Sequence, residues 1–127
     1  MKKWMGGLIA SVFTAMVVSL CLAGAPEVMK IENKYTKKKK GAVVFSHKKH
    51  AEAYKIACTE CHHKWKKEEA KEPEKCASCH KEKKQGKVLS LMRAFHKNCM
   101  GCHKGLAKQG KPTGPTTKCS GCHQKKS

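Results

Sequence analysis

The sequence has little from which a chain of its length could build an ordinary interior. Only 6% of its 127 residues are aromatic: three Phe, two Trp and two Tyr. A chain this short buries a modest fraction of its surface. The scarcity therefore excludes an all-protein hydrophobic core, and with it a large catalytic domain holding a deep protein-walled pocket. Acidic residues are also few, nine against 28 Lys and Arg, for a formal charge of +19; an excess of this size steers toward acidic partners. Past residue 22 no apolar run is long enough to span a bilayer, which excludes a membrane bundle. Length sets one small domain at most. With 29% charged residues it needs staples, and nine cysteines are available.

The first stretch reads as a secretory signal peptide. Lys2 and Lys3 precede an almost unbroken apolar run, Met5 to Leu22, which ends in Ala23, Gly24 and Ala25. The run is at the short limit for a membrane anchor, and Leu20 is too bulky for the residue before a lipid-modified Cys21. Cleavage is expected after Ala23, or after Ala25 at the latest. Removing residues 1–23 takes away Cys21, Lys2 and Lys3, leaving 104 residues, eight cysteines and a charge of +17. Export makes an even cysteine count meaningful.

All eight remaining cysteines fall in one repeated pattern: Cys58-Thr-Glu-Cys61-His62, Cys76-Ala-Ser-Cys79-His80, Cys99-Met-Gly-Cys102-His103 and Cys119-Ser-Gly-Cys122-His123. Cysteines at i and i+3 of one helical turn can add to the two vinyl groups of one haem, and the histidine that follows lies beneath the iron. Structural zinc does not require a histidine after every pair, and disulfide scaffolds seldom place every cysteine three residues from another. The expected cofactors are four covalently attached haem c groups, whose flat apolar bodies stand in for the missing core.

Eight histidines occur; four belong to the motifs, and His47, His50, His63 and His96 remain, one spare axial ligand per haem. Of the mature methionines Met29, Met92 and Met100, the last lies inside a motif, so bis-histidine ligation is the economical expectation. His63 directly follows His62 and cannot reach the far face of the same haem. His96 stands seven residues before His103, on the same side of a continuous helix, so it too serves a more distant haem. His47 and His50, spaced i, i+3 after the candidate cap Ser46, share a helical face and can serve two haems.

These residues resemble the tetrahaem cytochromes c3, the class III c-type cytochromes of sulfate-reducing bacteria. The match runs from Val43-Val44-Phe45-Ser46-His47-Lys48-Lys49-His50 through the first motif extended by His63, then the two motifs flanking His96, to the motif at the C-terminus. The resemblance implies that haem 1 is held by Cys58 and Cys61 with His62 and His47, and haem 2 by Cys76 and Cys79 with His80 and His63. It gives haem 3 Cys99 and Cys102 with His103 and His50, and haem 4 Cys119 and Cys122 with His123 and His96. It also implies that Phe45 packs between haems 1 and 3. The chain departs from many members in having C-x-x-C-H, rather than a longer spacing, at haems 2 and 4. Trp65 and Tyr54 are expected to be haem-packing or surface aromatics.

The expected fold is a small, mainly α, irregular multihaem cytochrome c, with short helices, loops and a short N-terminal β element wrapped round four haems. Residues 24–42 read as an extended lysine-rich arm and 43–127 as the tetrahaem domain. Helices are expected at 46–56, at each motif and at 88–98, where Val88, Leu89, Leu91, Met92 and Phe95 form a stripe, with a loop over 106–118. Four ferric haems with ionised propionates would leave a net charge of about +13, falling toward about +9 on full reduction. Nucleic acid does not fit an exported chain whose special residues are committed to haem.

The function these features imply is that of a monomeric periplasmic electron carrier. By resemblance, its electrons come from an acidic partner such as periplasmic hydrogenase and go to membrane-associated multihaem complexes, with coupled proton uptake. Lys97, Lys104, Lys108, Lys111, Lys118, Lys125 and Lys126 are the candidate docking charges near haem 4. Two other classes are a multihaem reductase, which needs an open iron that eight histidines for four irons do not leave, and a permanent subunit of a larger redox complex.

Overall fold

The computed structural model describes residues 26–32, 34–35, 39–69 and 71–126. The expected secretory segment lies outside these residues, as do Lys37 and Lys38. Within the lysine-rich arm, Met29–Ile31 (β1) pairs antiparallel with Val43–Phe45 (β2), Met29 opposite Phe45 and Ile31 opposite Val43. The flanking apolar pairs are half-buried, while the central pair, Lys30 and Val44, faces out, the alternation a one-sided ribbon requires. This ladder crosses the boundary expected at residues 42 and 43. A bridge from Val43 to His123, and the Gln124 N–H donating to the Ala42 carbonyl at 2.9 Å, fasten the last motif to the same ribbon.

Everything else is short helices and turns. Three motifs form isolated helical turns: Cys58–Cys61 (α1), Cys76–Cys79 (α2) and, at the end, Cys119–Cys122. The third motif lies in a longer helical run made of Leu91–Phe95 (α3), a π-helical stretch His96–Met100 and Gly101–Lys108 (α4), so Cys119–Cys122 is α5. This run begins three residues later than the stripe at 88–98 predicts, because Gln85 and Val88 exchange two backbone hydrogen bonds around Gly86 (φ +55°), a tight turn that occupies those residues. It also continues ten residues further, into the expected loop.

The run stops where the sequence first supplies a left-handed residue. Gly110 has φ +68°, its N–H donates to the Ala107 carbonyl and that of Lys111 to the Leu106 carbonyl, both at 3.0 Å, which is the Schellman arrangement. The helix expected at 46–56 is shorter, with helical residues at 47–48 continuing into a π-turn, Lys49–Ala53, and ending before Lys55 at φ +52°. Both π segments carry a non-motif histidine, His50 or His96. Such wide turns are commonly kept at functional positions.

The described residues hold almost no protein core. Leu91, 8% exposed, is their one buried apolar side chain, with Ser90 beside it at 9%. None of their helices is long and apolar enough to cross a membrane. The polypeptide alone thus lacks the apolar burial that stabilises a domain of this size.

Candidate cofactor-binding site

Each isolated motif is a single helical turn entered from extended backbone, at Ala57, Lys75 and Lys118. The turn is closed by the motif histidine itself: the N–H of His62, His80 or His123 donates to the carbonyl of the first cysteine, Cys58, Cys76 or Cys119, at 2.8 Å in each case. That bond sets both cysteines and the histidine on one turn, which is the arrangement the covalent chemistry requires. No disulfide joins the eight motif cysteines. Among the described residues, no three of His, Cys, Asp or Glu converge as a metal-binding group.

The structure brings the eight histidines together as four pairs. Ring centroids lie 6.4 Å apart for His47 and His62, 6.0 Å for His63 and His80, 6.4 Å for His50 and His103, and 6.2 Å for His96 and His123. Each pair joins one motif histidine to one non-motif histidine, and none pairs neighbours in sequence. Two imidazoles bound on opposite sides of one metal, through bonds of about 2.0 Å and with a ring radius of about 1.2 Å, hold their centroids roughly 6.3 Å apart. All four separations match that span.

Five rings are also oriented by backbone carbonyls. The motif histidines place Nδ1 against a carbonyl in every case: His62 at Glu74 (3.3 Å), His80 at Leu89 (2.9 Å), His103 at Pro115 (2.9 Å) and His123 at Gly41 (2.8 Å). Of the other four, only His50 does so, at the Ser46 carbonyl (2.9 Å). A carbonyl can only accept, so Nδ1 carries the proton and Nε2 is left with a free lone pair. This is how protein ligands of metals are usually fixed. Nδ1 of His47 is buried without a partner, whereas His63 and His96 are exposed.

The surroundings hold the rings in place. Phe45 sits 4.6 Å from His50 and 5.8 Å from His47, between the two pairs they belong to, and Tyr54 meets His50 edge-on at 5.5 Å. The Trp65 Nε1–H donates to the Lys71 carbonyl at 2.6 Å, which closes the loop between the first two motifs. Burial pushes the thiols of Cys61 and Cys76 up from their ordinary value, and that of Cys99 up to about 11. Around Cys99 the charges of Cys61, Cys122, Cys76 and Cys102 add to the effect in the same direction. Sequence reasoning missed the close approach of Gly114, where a Cβ would stand 2.7 Å from Cε1 of His103. The nearest signal was the Gly-Pro pair at 114–115, readable as a turn but not as a contact.

Short helices, a two-stranded ribbon and four such turns define a small multihaem cytochrome c. Residues 24–126 match a family model described as the class III cytochrome c family. A cytochrome c3 from Maridesulfovibrio salexigens is 45% identical over 96 residues, covering 68% of this chain and 82% of that one. A cytochrome c7 from Geobacter metallireducens is 32% identical over 126 residues, covering 98% of this chain and all of the relative. Among solved structures, the di-tetraheme cytochrome c3 from Desulfovibrio gigas superposes with a TM-score of 0.60 at 27% identity, covering 79% of this chain and 97% of that one. The chain belongs to the class III cytochrome c family and is a cytochrome of the c3 type, an electron-transfer protein. The family implies covalently bound haem c. The paired, carbonyl-oriented imidazoles and the cysteine turns fit that group.

Proposed function

We propose that this protein is a periplasmic electron carrier with four bis-histidine c-type haems. The observation that carries this is the sorting of eight histidines into four pairs 6.0–6.4 Å apart. Cys58 and Cys61, Cys76 and Cys79, Cys99 and Cys102, and Cys119 and Cys122 would hold the four haems in turn. The axial pairs would be His62 with His47, His80 with His63, His103 with His50, and His123 with His96. Haem supplies one-electron chemistry without requiring a change of ligand. The chain's own part is to fix five of the eight imidazoles through their Nδ1 contacts, leaving Nε2 free as the ligand atom, so that little reorganises when charge arrives.

In this reading residues 1–23 direct export, and residues 24–127 form the mature carrier as a monomer, with the arm built into the ribbon. The lysines from Lys97 to Lys126 steer an acidic partner toward haem 4. Hydrogenase is the expected donor and membrane-associated multihaem complexes the acceptor, with proton uptake coupled to reduction. The test is a haem count by mass and pyridine haemochrome, followed by carbon monoxide added to the reduced protein. Four haems, low-spin and unchanged on mixing, are expected. A high-spin fraction that binds carbon monoxide at once would replace the carrier with a reductase.

A further inference from the structure

The four histidine pairs are not held alike. All four motif histidines are fixed twice, by their place in a cysteine turn and by a carbonyl at Nδ1. The partner imidazoles have no covalent neighbour, so only the backbone that carries them and the Nδ1 contact resist their departure. His50 has both: it sits in the π-turn Lys49–Ala53, donates to the Ser46 carbonyl at 2.9 Å and lies under the Phe45 ring at 4.6 Å. His47 lacks a carbonyl partner but is enclosed, its Nδ1 being buried. His96 is exposed but is carried by the helical run from Leu91 to Lys108.

His63 has none of these restraints. It is exposed, follows α1 in a turn at residues 63–64 and has no carbonyl at Nδ1. Its backbone is held indirectly. The Trp65 N–H donates to the His62 carbonyl at 2.9 Å, the Trp65 ring to the Lys71 carbonyl at 2.6 Å, and His62 Nδ1 meets the Glu74 carbonyl at 3.3 Å, the longest of the five histidine contacts. A ring that donates no Nδ1 hydrogen bond is also the weaker base and the weaker ligand.

We propose that His63 is the exchangeable axial ligand of the set. In the oxidised protein a small strong-field anion of the cyanide class enters where His63 leaves, while His50 stays closed. The exchange is a substitution: the bond to His63 Nε2 breaks, one bond to the incoming ligand forms, and no electron changes hands. Trp65 is a positioning residue here, because its indole closes the loop that carries His63. This inference rests on the bis-histidine reading above.

The test uses the oxidised holoprotein, first shown to carry four low-spin haems, so that a wrong haem count would overturn the carrier reading separately. Cyanide is added in excess, and the four sites are followed by the shifted haem methyl resonances in NMR. Haem 2 should convert first and haem 3 last, at a rate that saturates with cyanide because departure of His63 limits it. Trp65→Phe, which keeps an aromatic ring but loses the indole N–H, should raise that limiting rate at haem 2 about threefold or more, the gain expected from losing one modest hydrogen bond. Haem 3 should be unaffected. Conversion of haem 3 before haem 2, conversion of haem 4 first, or an unchanged haem 2 rate in Trp65→Phe would each overturn the proposal.

Discussion

Gly114→Ala isolates how tightly the chain grips one axial histidine. A Cβ at this position would stand 2.7 Å from Cε1, 3.2 Å from Nδ1 and 3.3 Å from Nε2 of His103, so it meets the imidazole broadside. Carbon atoms in van der Waals contact settle at about 3.5–4.0 Å, so either the ring or the loop must move by roughly 1 Å. The ring has little freedom to move, because its Nδ1 is held by the Pro115 carbonyl at 2.9 Å and the His50 ring lies 6.4 Å away, centroid to centroid. If the loop moves instead, it takes Pro115 with it and breaks the same contact. Either way the substitution should destabilise the fold by about 1–3 kcal/mol, the usual cost of overpacking, measured by guanidinium unfolding followed in the Soret band. It should also shift the haem 3 methyl resonances while leaving haems 1 and 2 in place. Gly110→Ala is the control: it has φ +68° with nothing within 4 Å of a Cβ, so it should cost about 1–2 kcal/mol in backbone strain with all haem signals intact. A Gly114→Ala protein with unshifted haem 3 resonances would refute the close contact.

Phe45→Leu should alter haems 1 and 3 together and spare 2 and 4, since the ring touches His47 and His50; haem-resolved redox titration by NMR reads this, and a change confined to one haem would contradict it. Lys81→Met removes an ammonium that donates to the Ala77 carbonyl at 3.0 Å and the Ser78 carbonyl at 2.7 Å, at the end of α2. It should lower stability by about 0.5–1 kcal/mol in a guanidinium melt. His63→Met should raise the potential of haem 2 and leave the other three near their original values, because thioether ligation favours the ferrous state; spectroelectrochemistry with haem-resolved NMR checks it. Reversing Lys104, Lys108 and Lys111 to Glu should slow electron transfer from an acidic donor at low salt, and the difference should fade above about 0.5 M salt, where screening removes the steering.

Much of the site could be read from the sequence because covalent haem attachment is written locally. Five consecutive residues specify each turn, and the bond from His80 N–H to the Cys76 carbonyl is the ordinary i to i+4 bond of that turn. The spacing of His63 and His96 also told against the nearest haem for each. What the spacing could not give was the partner, since His50 and His103 are brought together by packing and share no local signal. Only the resemblance implied those pairings. The carbonyls of Glu74, Leu89, Pro115, Gly41 and Ser46 had no sequence signature, because any residue type provides a carbonyl and only the backbone path aims it. The expected helix at 88–98 began late because its stripe was assessed by periodicity, while the turn at Gly86 is a competing local preference that takes Val88 for itself.

The distribution of charge along the chain adds a direction to the carrier. After Glu82 there is no acidic residue, while eleven Lys and Arg follow it, and these residues include the third and fourth motifs. Between Glu60 and Lys75, by contrast, five Glu balance five Lys across the loop that links the first two motifs. Lysine side chains near a haem favour its ferrous state and attract an acidic partner at the same time, so both effects concentrate on the third and fourth motifs. The balanced loop neither repels nor attracts at a distance, so a partner that meets haem 1 or haem 2 does so by short-range fit. Association there should depend weakly on salt, and association at the fourth motif strongly. Salt dependence thus separates long-range steering at the C-terminal end from contact shape at the loop that carries His63.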